Sequence, residues 1–171
     1  MRHTMGHRQF GYVGPTRILE ATRGQPPGVQ ITSGRDLRAR IPARSGEQVI
    51  WTYVVSRDGV LVIADRHREH VVCAGRRPVL TAGELITEVG DDGHVLIVGV
   101  SNQSTGYCPD VSSFPAFAEA ARAAGLEPPD WWTFACEFRR CGSCGALQIV
   151  KDEWFVCWEC EADLPLDYNV Q

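Results

Sequence analysis

From Gln48 onward, β-branched and aromatic residues collect in short runs divided by turns rich in Gly and Asp, a pattern that predicts strands. QVIWTYVVS (48–56) and VLVIAD (60–65) flank Arg57-Asp58-Gly59 and together predict a hairpin. VVCA (71–74) and GELITEV (83–89) read as two further strands. After the turn Gly90-Asp91-Asp92-Gly93, the run HVLIVGVSN closes the series. The expectation is about five antiparallel strands in meander order, with no helix between them.

The period then changes. In SSFPAFAEAARAAGL, Phe114, Phe117, Ala121 and Ala124 recur at helical spacing, so one face of a helix should lie on the sheet. Ser113 is placed to cap that helix, Pro115 suits its first turn, and Gly125 suits its C-terminal stop. NQSTGYCPD (102–110) reads as a polar loop, EPPDWW as a connector, and TFACEF as a short strand entering a cysteine-rich end. Before Gln48, GQPPG and TSGRD are turn punctuation, and Ser33 can cap a helical turn through DLRAR that Pro42 stops. The fold class is therefore α+β: an antiparallel sheet of about five strands with one covering helix, plus a C-terminal cysteine unit. Three segments follow: a partly irregular lead-in (1–44), the sheet and helix (45–135), and the cysteine unit with its tail (136–171).

Composition narrows the setting. Hydrophobic residues make up 44% of the 171 and charged residues 22%, ordinary for a soluble globular chain. The longest apolar runs, such as VLVIA, are too short to cross a bilayer. MRHTMGHRQFGYVG is basic with no apolar stretch behind it, so no signal peptide is expected and the predicted compartment is the cytoplasm. Thiols stay reduced there, so the clustered members of the seven cysteines (73, 108, 136, 141, 144, 157 and 160) point to metal binding or catalysis. Lys151 is the one lysine among many arginines, and with abundant Ala, Gly and Val this composition suggests a high-GC genome.

Charge is unevenly spread over a net of −4. Residues 1–44 hold eight arginines (2, 8, 17, 23, 35, 38, 40 and 44) against Glu20 and Asp36. Such an arm can reach phosphates or an acidic partner, although no aromatic residues alternate with it as nucleic-acid binding would favour. The remainder of the chain is acidic.

The chemistry most directly readable lies in RRCGSCGALQIVKDEWFVCWECEADLP (139–165). Two C-x-x-C pairs, Cys141/Cys144 and Cys157/Cys160, can supply four thiolates to one tetrahedral metal ion. Gly142 and Gly145 suit the sharp turn of the first pair, while ALQIV, Lys151-Asp152-Glu153 and WFV predict a hairpin returning the second. Four thiolates leave no open coordination position, so the ion is expected to be one structural zinc. This stretch resembles a zinc ribbon, with Glu161 where a glycine often follows the second pair. Zinc ribbons often bind nucleic acids, and Trp154, Phe155 and Trp158 have faces on which bases can stack. From Cys136 to Gln171, however, three basic residues stand against seven acidic ones, which removes the attraction for phosphate. Trp154 and Trp158 are accordingly candidates for contact with a protein partner.

DRHREHVVC (65–73) sets His67, His70 and Cys73 three apart. His67 and Glu69 form an H-x-E, half the signature of a zinc nucleobase deaminase. No proline precedes Cys141, and a deaminase would leave the second C-x-x-C without a role, so that reading is disfavoured. A second metal site at His67, His70 and Cys73 lacks a fourth ligand at standard spacing.

The order WTYVVSRDGVLVIA, EHVVCAGRRPVLTAGEL, VSNQSTGYCPD, FPAFAEAA resembles a module of some bacterial polymorphic-toxin-associated proteins and of plant IQ-motif proteins that bind calmodulin. The likeness spans about residues 51–126, with His70, Ala82-Gly83-Glu84, Tyr107 and Pro109 on the module's H-S-S-F, A-G-E and S-G-H-Y-x-P positions; Thr105-Gly106 stand where Gly-His is usual. It implies an accessory or immunity-like binding protein of bacterial conflict or defence. The alternative is a small enzyme with His70, Glu84 and Tyr107 as catalytic candidates in a pocket shared with Asn102 and Ser104. A second alternative is a nucleic-acid-binding module that uses the arginine-rich arm.

Overall fold

The computed structural model describes residues 6–42 and 46–171. Arg2 and Arg44 of the basic arm lie outside the described residues. Five strands form one antiparallel sheet in the order β1-β3-β2-β4-β5: β1 (Val29–Ile31), β2 (Gln48–Ser56), β3 (Leu61–Asp65), β4 (Val79–Val89) and β5 (Val95–Val100). The predicted hairpin forms in register, with Tyr53 opposite Ile63 and Val54 opposite Val62. Gly59 turns it at φ 76°, a value that favours glycine.

The sheet departs from a meander in one place. Residues 71–74 are not a strand: His70–Cys73 form the short helix α3. The outer edge of β3 is already paired with Val29–Ile31 from the lead-in, so a strand here would have had no edge to join. Instead the chain crosses over the sheet through α3 and returns as β4 on the far side of β2. Gly75 and Arg76, both left-handed at φ 60° and 63°, make that turn. The fifth strand therefore comes from the arginine-rich lead-in.

Because both faces of the sheet are covered, β2 is apolar without alternation from Tyr53 to Val55. Tyr53, Val55, Leu61, Ile63 and Leu85 face the main core. Helix α4 (Phe114–Ala123) lies on that face, with Phe117 packed 5.2 Å from the Tyr53 ring and Ala121 and Ala124 buried beside it. Trp132 closes this core and donates its indole N–H to Val111 O at 2.8 Å. Gly125, at φ 70°, ends the helix as expected. Ser113 does not cap it: its hydroxyl bonds Asp110 O at 2.6 Å and Thr81 Oγ1 at 2.9 Å. On the other face, Val54, Val62 and Ala82 pack against Phe10, Val71 and Tyr107. In the lead-in, helix α1 (Thr16–Ala21) precedes the short helix α2 (Gly34–Arg38), which carries the expected cap at Ser33, completed as a capping box by Asp36.

One buried side chain ties the polar loop to the C-terminal unit. Asn102 donates to Pro109 O (2.9 Å) and Cys136 O (2.8 Å), and accepts from Cys136 N–H (2.6 Å). The two ends of the described chain also meet, since Gln171 bonds both the N–H and the carbonyl of Gly11.

Candidate metal centre

The C-terminal unit begins with a two-stranded ladder of β6 (Glu137–Arg140) and β7 (Leu147–Val150), which brackets the first cysteine pair. Its strands differ from the expected hairpin, because residues 147–150 pair backward with β6 rather than forward with residues 154–156. Lys151 to Glu153 still turn the chain, with Asp152 and Glu153 left-handed at φ 52° and 56°. The second pair then forms a loop closed by Leu164 N–H to Phe155 O at 2.9 Å.

The two cysteine loops repeat one backbone pattern. Cys141 N–H donates to Ala146 O and Gly145 N–H to Cys141 O, each at 2.9 Å. Cys157 N–H donates to Ala162 O (2.8 Å) and Glu161 N–H to Cys157 O (2.9 Å). Each pattern needs a left-handed residue after the second cysteine: Gly145 at φ 78° in the first loop and Glu161 at φ 60° in the second. The glycine that the zinc-ribbon likeness leads one to expect is absent from the second loop, but its conformation is kept.

These loops bring all four sulfurs within 4.8 Å of one another, with Cys141–Cys160 and Cys144–Cys157 at 3.6 Å. A tetrahedron of thiolates about 2.3 Å from a zinc ion has edges of about 3.8 Å, close to the spacing found. The four cysteines are thus positioned to hold a metal ion. Cys141 and Cys157 are buried, whereas Cys144 and Cys160 reach the surface.

The polar surroundings support the same chemistry. The amides of Cys144 and Ser143 favour the Cys141 thiolate and lower its pKa. Burial opposes ionisation of Cys157, but the amides of Cys160 and Glu159, the Gln148 side chain and the Cys144 thiol outweigh it and bring its pKa down to about 6. The Ala162 amide favours the Cys160 thiolate, yet burial and the three neighbouring sulfurs carry that pKa up to about 12. Cys144 is also raised, because the Cys157 sulfur and burial overcome the Ala146 amide. Four sulfurs this close resist full ionisation without a cation among them. Gln148 bears on the same thiol through its geometry. Its Oε1 accepts from the Trp158 backbone N–H at 3.1 Å, while its buried Nε2 has no conventional partner among the described residues and the side chain lies against Cys157. A thiolate at Cys157 gives that amide an acceptor.

Beyond the sulfurs, Trp154 and Trp158 stand out at 66% and 63% exposure. Lys151 Nζ lies 5.3 Å from the Trp158 ring centroid. Arg139 plays a part that its sequence context does not announce. It is buried, donates to Pro165 O (3.0 Å), Leu166 O (2.6 Å) and Phe138 O (2.9 Å), and stacks 5.5 Å from the Phe155 ring. Only its alternation with buried Phe138, next to a cysteine loop, hints at that role.

The other candidates fall elsewhere in the fold. Among the described residues, the four cysteines are the group of potential metal ligands whose donor atoms converge; His67, His70 and Cys73 form no such group. His67 is exposed. His70 Nε2 sits 2.9 Å from Gly83 O, and burial lowers its pKa below the ordinary 6.5 against the pull of that carbonyl, Glu69 and Glu84. The Cys73 thiol faces Val62 O at 3.6 Å, and burial raises its pKa to about 12. Tyr107 is fully buried and donates to Arg77 O at 2.7 Å. Ser104 Oγ accepts from Tyr107 N–H at 3.3 Å, and Asn102 is wholly engaged with backbone groups. Glu84 is half-buried, its N–H bonded to Ser101 Oγ. No helix among the described residues is long and apolar enough to cross a membrane. No protein-family model, curated protein or solved structure matches the chain.

Proposed function

We propose that this is a cytoplasmic binding protein whose zinc-closed ribbon presents Trp154 and Trp158 to a protein partner. The carrying observation is the pairing of two largely exposed tryptophans with four convergent sulfurs on one small unit. Cys141, Cys144, Cys157 and Cys160 would hold the ion, which, once bound, neutralises the thiolates and cross-links the two loops. Trp and neighbouring charge are typical of protein contact sites, and the acidic surroundings suit a partner carrying Arg or Lys beside apolar side chains. That acidity also argues against nucleic acid as the ribbon's ligand.

Engagement of His70, Tyr107 and Asn102 with backbone carbonyls supports binding over catalysis, because these groups serve packing where they stand. The likeness of residues 51–126 to the toxin-associated module suggests a bacterial conflict or defence setting. Affinity capture from the native host with wild-type protein and Trp154→Ala/Trp158→Ala tests the reading. The variant should lose one defined partner while keeping its metal and its melting temperature. Equal capture by both proteins would remove the ribbon face as the contact. A His70→Gln protein that loses its biological effect while keeping capture and melting would favour the small-enzyme alternative.

A further inference from the structure

A concave site lies on the body, away from the four ribbon cysteines, and the ribbon has no part in it. The β2–β3 turn and the α3–β4 connection face each other across a cleft of about 790 Å³, within the range of about 300–1,000 Å³ usual for small-molecule sites. Val54 and Val62 form its floor, and Pro27, Ala74 and Pro78 form its walls. Its rim carries Arg57, Arg76 and Arg77 against Asp58 alone. In a chain of net charge −4 this is a local excess of positive charge. Among the described residues, none of the three guanidinium groups is within ion-pair distance of a carboxylate.

The rim is also built rather than incidental. Arg76 is left-handed at φ 63°, a conformation that disfavours residues with a side chain. Its Nη2 is fixed by Leu19 O (2.9 Å) and Thr22 Oγ1 (3.1 Å), leaving the rest of the guanidinium without a partner among the described residues. The Tyr107 hydroxyl holds the Arg77 carbonyl at 2.7 Å. The strained turn and its two anchors keep both arginines on the edge of the cleft. Beneath them the Cys73 thiol is buried and protonated, so the floor adds no opposing charge. Guanidinium groups match phosphate oxygens in geometry as well as charge, and the Gln30 amide and the Gln25 Nε2 (its Oε1 accepts from Arg68) offer hydrogen bonds to an uncharged body.

We propose that this cleft binds a small organic phosphate, with the phosphate on Arg57, Arg76 and Arg77 and the body over the apolar floor. Phenyl phosphate, inorganic phosphate and phenol serve as probes in amide chemical-shift titrations of the full chain. Phenyl phosphate should bind saturably and more tightly than inorganic phosphate, phenol should not bind measurably, and the shifts should map to the cleft. Arg57→Gln and Arg77→Gln, whose side chains hold no other element among the described residues, should each weaken phenyl phosphate roughly tenfold. Arg122→Gln, exposed at the end of α4, should leave it unchanged. The proposal is overturned by a lack of saturable binding, by equal affinity in the Arg57 and Arg77 variants, or by shifts outside the cleft. Association with phosphatidate vesicles but not with phenyl phosphate would also overturn it, assigning the arginines to a membrane-facing surface instead.

Discussion

The ribbon and the sheet body are held by different means, and the difference shows what a reactive-looking residue signifies in each. The body buries a core running from Ile31 through Tyr53 and Leu85 to Phe117 and Trp132, large enough to fold around polar groups such as Asn102 and Tyr107 and to satisfy them internally. The ribbon's own core is small, built around Cys141, Val150, Cys157 and Leu164, two of which are cysteines. Packing of that size is slight for holding two loops together, and a metal ion held by the four sulfurs would supply the missing cross-link. His70, Tyr107 and Asn102 in the body bond backbone carbonyls, while the ribbon's thiols converge on a position that could hold a metal ion.

The largest expected effects separate the two regions outright. Cys157→Ser, or chelation of the metal, should unfold the ribbon, since structural zinc contributes about 10–16 kcal/mol to small domains of this kind. Amide spectra should then lose residues 136–165 while the sheet signals persist. Phe117→Ala is the mirror experiment: the cavity beside Tyr53 should cost the body about 3–5 kcal/mol, read as a lower denaturant midpoint, with metal content unchanged. If each change unfolds both regions together, they form a single cooperative unit and the distinction fails.

Asn102→Ala tests the joint between them. It strands the Pro109 carbonyl and both backbone groups of Cys136, at a cost of about 3 kcal/mol. Calorimetry should show the ribbon and body transitions lying further apart in the variant than in the wild type. Glu161→Gly acts within the ribbon alone. Relieving a side chain at φ 60° should stabilise it by about 1 kcal/mol, whereas Gly145→Ala in the matching loop should destabilise it.

The smallest effect at neutral pH concerns His70. Its folded-state pKa lies below 6.5, so the unfolded chain binds more protons once the pH falls below about that value. The stability contributed by neutral His70 is complete above 6.5 and is lost as pH falls from there toward the folded pKa. The groups facing it are Glu69 and Glu84, both of which pull toward the charged form. His70→Gln should flatten the decline in melting temperature between pH 7 and pH 5 relative to wild type. An unchanged slope would mean that the imidazole is not buried in its neutral form.

Local patterns account for what could be read without coordinates. The β2–β3 hairpin, the amphipathic helix with its Gly125 stop and the Ser33 cap all depend on residues adjacent in sequence. The cysteine spacing was legible for the same reason, since each C-x-x-C loop closes on itself. What escaped depends on distant partners. Residues 71–74 carry strand-forming side chains, but Val29–Ile31, about forty residues earlier, occupy the edge they would need. Ser113 was a fair cap until Asp110 and Thr81 took its hydroxyl. Arg139 counted only as charge, because the carbonyls of Pro165 and Leu166 that bury it lie beyond the second cysteine loop. Glu161 hid a glycine-like backbone behind an ordinary side chain.

Metal analysis of the purified protein under reducing conditions addresses the central claim most directly. Closure of the ribbon by four thiolates predicts about one zinc per chain, and its loss in Cys157→Ser together with the folded signals of residues 136–165. A metal-free protein whose ribbon remains folded would contradict it.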